Sequence, residues 1–280
     1  MDLAPDIVLL VGFLYLLGPV LIWLTFKQRV YALSEPIDRS ELPPELDEFS
    51  LRVAPELERE GFVLLACFRQ TGSVAGMSAY MLRWQQPERG QLAHVYAVLA
   101  AGRIPTNVVL EFETITADGR DVMTNTIRGN AGIYDALRWR HVASLPWLAT
   151  RPRSLYQVHL NREQRILDPA SPRYLPPANR LPESAAAAEY FLLRELVRTG
   201  LFREARVAGE FRPTFPGAWR LVMRMLPPAK QLRVLAAKRR ARVDEAESQL
   251  SPAPRPVGPV TVTRQSPYDR PLQRFPLTYA

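Results

Sequence analysis

Three histidines, one cysteine and a spaced pair of glutamates are the residues of this chain best equipped for chemistry. Their spacing decides how far each is credited. His94, His141 and His159 are isolated, and none stands at metal-ligand spacing from another His or from Cys67. His94 falls between Ala93 and Val95 in a strand pattern and reads as a structural or surface residue. Cys67 lies in the apolar stretch FVLLACF without a motif histidine nearby, and reads as a core residue. Glu111 and Glu113 share one strand face and would make paired carboxylates, but their alternation with Leu110 and Phe112 accounts for them as solvent-facing. GSVAG (72–76) is a turn, and GRIPTN (102–107) lacks the Lys-Ser/Thr that would hold a phosphate. No catalytic residue, cofactor site or metal site is therefore assigned.

The best binding candidate is a basic helical region near the C-terminal end. Its first half carries Trp219, Arg220 and Arg224 among apolar residues. Its second half carries Lys230, Arg233, Lys238, Arg239, Arg240 and Arg242 around Leu232 and Leu235. An amphipathic helix of this kind suits an anionic phospholipid surface or an acidic protein partner, the alternative being that 216–226 packs on the sheet and the arginines form a solvated face. Each base near such a leaflet contributes on the order of 1 kcal/mol. Nucleic acid is disfavoured, because no zinc-finger cysteines, recognition helix or aromatic RNA-binding strand accompanies the arginines.

These bases stand out by position more than by number. The chain has 280 residues, 36 basic against 28 acidic, for a net charge of +8. Of the basic residues only Lys27, Lys230 and Lys238 are lysines, a skew that a GC-rich bacterial genome produces unaided. Yet nine acids crowd residues 30–60, whereas 212–242 hold nine bases and no acid.

The elements that position these groups begin with an uncharged run, residues 7–26, IVLLVGFLYLLGPVLIWLTF. At about 1.5 Å per residue it reaches roughly 30 Å, the thickness of a bilayer core. It predicts a single-pass transmembrane anchor over 1–30. Lys27 and Arg29 follow the run and acids precede it, which predicts an N-terminus outside a bacterial inner membrane and a cytoplasmic body. An acidic stalk (31–52) comes next, with a short helix at about 53–60.

Five runs between 62 and 127 are bounded by turn residues and predict an antiparallel β-meander of about five strands, with a further strand at 137–142. Asp118-Gly119 marks a hairpin within it. A helix is predicted over 152–165, closing a sheet domain of 53–168 with flanking helices. A proline-rich break (169–182) separates it from a helical region (183–250). That region comprises a helix at 183–199, a small hairpin around Ala208-Gly209, and the basic segment, broken at Pro227-Pro228. The last thirty residues, 251–280, hold PAPRPVGP and are expected to be a disordered tail.

The fold class expected is thus α+β: an N-terminal transmembrane helix, then an antiparallel meander packed with C-terminal helices. The function expected is a binding or scaffolding module on the membrane, whose partners are the lipid bilayer, anionic headgroups, or a protein met through stalk or tail. The alternatives are a membrane-tethered enzyme with an unfamiliar site, favoured by a pocket that gathers a histidine with a carboxylate, and an accessory subunit of an envelope complex.

Overall fold

The computed structural model describes residues 3–29, 33–71, 77–100, 107–127, 139–177, 180–207, 209–227, 229–250 and 260–268. Helix α1 (Leu3–Thr25) leads to the short strands β1 (Gln28–Arg29) and β2 (Leu33–Pro36), then to helix α2 (Pro44–Arg59). Five strands follow: β3 (Val63–Thr71), β4 (Met77–Gln86), β5 (Gln91–Ala100), β6 (Val108–Thr116) and β7 (Asp121–Asn125). Strand β8 (Arg140–Ser144), helix α3 (Pro152–Ile166), strand β9 (Arg173–Tyr174) and helix α4 (Leu181–Arg198) come next. The hairpin β10 (Phe202–Glu204) and β11 (Glu210–Pro213), helices α5 (Phe215–Met225) and α6 (Ala229–Leu250), and strand β12 (Val262–Thr263) complete the order.

The spanning anchor expected over 7–26 is corrected. Among the described residues, no helix is long and apolar enough to cross a membrane. The end of α1 is engaged with protein instead. A Cβ on Gly18 would stand 3.1 Å from Val222 of α5, so the two helices meet closely there. Trp23 meets the Phe215 ring edge-on, and Phe26 does the same to Phe202. Ile22 and Phe26 join a core formed by Tyr190, Leu193, Leu196, Phe202, Phe211 and Leu221. Phe13, Leu16 and Leu21 lie exposed. The basic flank is used differently too, since Gln28–Arg29 pair antiparallel with β11. A single-pass membrane protein with its N-terminus out and its body in the cytoplasm is therefore not supported.

The second correction concerns the sheet. Strands β3 to β7 do run antiparallel in sequence order. Among the described residues, however, the sheet has nine strands and is mixed, because β8 lies parallel to β7 and β12 parallel to β9. Short turns dictate antiparallel pairing only between the strands they join. Strands β2, β8, β9 and β12 arrive through longer connections that a turn cannot reveal. The hairpin at Asp118-Gly119 needs just one left-handed residue, Gly119 at φ 88°, whose N–H bonds the Thr116 carbonyl.

One face of the sheet is apolar and carries Leu82, Trp84, Ala93, Val95, Leu110 and Phe112. Helix α2 covers it with Leu46, Phe49, Val53 and Leu57, a stripe at helical spacing, and α3 adds Leu155, Tyr156 and Val158. This stripe explains why α2 starts at Pro44, within the segment expected as stalk, rather than near 53. Each such fully buried leucine contributes roughly 1.5–3 kcal/mol. Helices α3 and α4 and the β10–β11 hairpin lie close to their predicted positions, and α5 and α6 part at Pro227. Within 251–280, residues 260–268 place β12 beside β9 and bury Tyr268; the rest of that tail lies outside the described residues.

Candidate functional site

The opposite face of the sheet is charged. Side chains alternate along a strand, so Glu111 and Glu113 share this face about 6.6 Å apart along β6. Cross-strand register does the rest: Arg83 pairs with His94, His94 with Glu111, and Glu111 with Asn125, making one polar row across four strands. A neighbouring row sets Arg140 beside Asp121 and Asp121 beside Ile115. Helix α4 contributes Ser184, Ala188, Glu189 and Leu192 above this face, and Trp139, Pro176 and Tyr268 close its sides, leaving a cavity of about 290 Å³.

His94 is 2% exposed, and its bonding fixes its tautomer. Arg83 Nε–H donates to Nδ1 at 3.3 Å, so Nε2 carries the proton and donates to Glu113 Oε2 at 3.0 Å. Burial, then the Arg83 charge, lowers the His94 pKa and keeps the ring neutral. Glu113 would be raised by burial, but the His94 hydrogen bond and the charges of Arg140 and Arg83 outweigh that and hold it well below its ordinary value. Glu111 goes the other way. Burial and then the Glu113 charge push it up to about 7, against the Asn125 amide and the Tyr96 hydroxyl that donate to its Oε2.

Asp121 is also raised by burial, with Glu113 and Glu111 adding to the shift and Arg140 opposing it. Its Oδ2 meets Arg140 Nε at 3.0 Å, while its Oδ1 has no hydrogen-bond partner among the described residues. Across the cavity, burial pushes Glu189 up to about 7. Three neighbouring carboxyls thus hold protons that exposed carboxyls would have lost.

No protein-family model, curated protein or solved structure matches this chain.

The sequence reading of Glu111 and Glu113 as solvent-facing is overturned, because α4 and the segment around Tyr268 cover the face that alternation leaves outward. His94 belongs to this covered cluster. His159 lies on the other face, where Thr114 and Thr124 hydroxyls contact its two ring nitrogens at 2.9 and 3.2 Å. Burial, then Arg162, lowers its pKa to about 3. Cys67 is buried in the apolar core, which raises its pKa. Among the described residues, no group of three or more His, Cys, Asp or Glu is arranged to hold a metal ion.

The basic candidates are spread over two helices. Trp219 and Arg220 lie exposed on α5, with Trp219 beside Phe215, and Arg224 is half-buried there. On α6, Lys230, Lys238 and Arg242 are exposed and Arg233 is half-buried. Arg239 and Arg240 border a hollow against α3 and β8. Arg83, Asp121, Arg140, Glu189 and Tyr268 were not singled out from sequence. For Arg83, Asp121 and Arg140 the signal was a charge on successive strands; Glu189 on α4 and Tyr268, which belong to the cover, gave none.

Proposed function

We propose that the α+β domain is a binding module for a small organic cation, such as an amine or guanidine, held in the cavity under α4. One observation carries this reading. Four carboxyls (Glu111, Glu113, Asp121, Glu189) face two guanidiniums (Arg83, Arg140) around the cavity, and the buried Asp121 Oδ1 has no hydrogen-bond partner among the described residues. Leaving a buried polar atom unpaired costs roughly 1–3 kcal/mol, which a cationic N–H donor would recover. The protons now held by Glu111, Asp121 and Glu189 do the neutralising that a bound cation would take over. Trp139, Leu192 and Met123 supply apolar wall for a short carbon chain.

Calorimetric titration with short alkylamines, diamines and alkylguanidines tests this, with matching alcohols as neutral controls. Cations should bind with release of protons, and affinity should rise up to about tenfold per pH unit for each proton displaced as pH climbs toward 7. Asp121→Asn should weaken binding. Cations that bind no better than alcohols, or binding indifferent to pH, would defeat the reading.

A second reading, an acid–base enzyme, draws on the opposed shifts of Glu113 and Glu111 on one strand face. An ionised base beside a protonated acid is the pairing such chemistry uses. It requires turnover of some ester, amide or glycoside substrate that both Glu113→Gln and Glu111→Gln abolish. Turnover that survives either change excludes it.

A further inference from the structure

A second hollow, of about 660 Å³, lies between β8, α3 and α6 and has Arg140 of β8 in common with the first. Its lining holds Arg162, Arg165, Arg239, Arg240 and His141, with Asp244 as the acid among the lining residues. Most of this charge is already engaged. Arg162 Nη1 donates to the Met123 carbonyl and the Thr124 hydroxyl, Nη2 donates to the His141 carbonyl, and Nε stands 3.4 Å from Asp244 Oδ2. Arg165 takes the other oxygen of Asp244 at 2.5 Å and also bonds Glu247. These contacts, with the Trp147 Nε1–H bond to Glu245, fasten the second half of α6 to the body.

Arg239 and Arg240 are left over. Both are exposed at the mouth of the hollow, adjacent in sequence, and neither has an acidic partner among the described residues. The field there is positive: burial first, then the charges of Arg162 and Arg120, lowers the pKa of His141 in the wall. Val142, Ile166, Ala236 and Ala237 provide an apolar side. Strand β8 has a neighbour on one edge only among the described residues.

We propose that this hollow binds a small phosphate-class anion bearing two or more charges, gripped by Arg239 and Arg240, with any organic part lying on the alanine and valine wall. Two uncommitted guanidiniums present paired N–H donors that match phosphate oxygens, and a dianion balances both.

Titration of the full chain with pyrophosphate and phenyl phosphate, followed by calorimetry, tests the site. Both should bind, and Arg239→Gln combined with Arg240→Gln should weaken binding by about tenfold or more. The two arginines are exposed, so the variant should match the parent in thermal unfolding. Ala237→Trp, which fills the hollow, should abolish binding of phenyl phosphate. Unchanged affinity in the double variant overturns the proposal. So does binding of long polyanions such as heparin without binding of either small probe, because that marks an open surface patch.

Discussion

Glu111→Gln is the sharpest probe of the charged face, because it removes one ionisation and keeps the shape. In the folded protein the Glu111 carboxyl is pushed to about 7, whereas an ordinary glutamate titrates near 4.5. Below the ordinary value both folded and unfolded chains hold the proton, and the contribution of the group to stability is fully present. Between the two values the unfolded chain releases a proton that the folded chain keeps. Stability therefore falls as pH rises, by about 1.4 kcal/mol per pH unit and about 3 kcal/mol in all.

A glutamine is neutral throughout, and its Oε1 still accepts from Asn125 Nδ2 and Tyr96 OH. Urea unfolding of parent and variant at about pH 5 and about pH 8 measures the difference. The variant should gain about 2.5 kcal/mol on the parent between those conditions. A difference that stays constant with pH would show that Glu111 titrates normally, and the buried-proton basis of the cation site would go with it.

Two further predictions concern the frame. A Cβ on Gly217 would sit 1.8 Å from the Leu201 carbonyl oxygen, where Thr214 also caps the start of α5, so Gly217→Ala should lower stability by about 3 kcal/mol or more. An unshifted thermal midpoint would show that α5 does not lie so close to the β10 strand. His159→Gln tests the acid side. The folded ring titrates near 3 and a free ring near 6.5, so its contribution is complete above 6.5 and is lost as pH falls toward 3, about 4–5 kcal/mol in all. Acid unfolding should flatten in this variant, and an unchanged acid slope would mean that His159 can charge in place.

Much of the scaffold was legible because it follows local rules. The β3–β7 meander came from short turns with glycine at their corners, and α3, α4 and the β10–β11 hairpin from spacing and punctuation. The row Arg83, His94, Glu111, Asn125 was half legible. Alternation told which residues share a face, but register across four strands, which brings them side by side, depends on every turn length between them. The anchor illustrates the opposite failure. An apolar run of twenty residues states that water is excluded and does not state by what, and here α5 and the hairpin supply part of the cover.

The chain by itself determined the alternation, the turns, the helical stripes and the segregation of acids from bases, since each depends on residues a few positions apart. Tertiary structure alone decided that the second face of the sheet is covered. Helix α4 and Tyr268, about 70 and 155 residues beyond β6, make the cover. Burial is set by whatever arrives to exclude water, and a carboxylate that alternation leaves outward becomes a protonated acid only when that cover is in place.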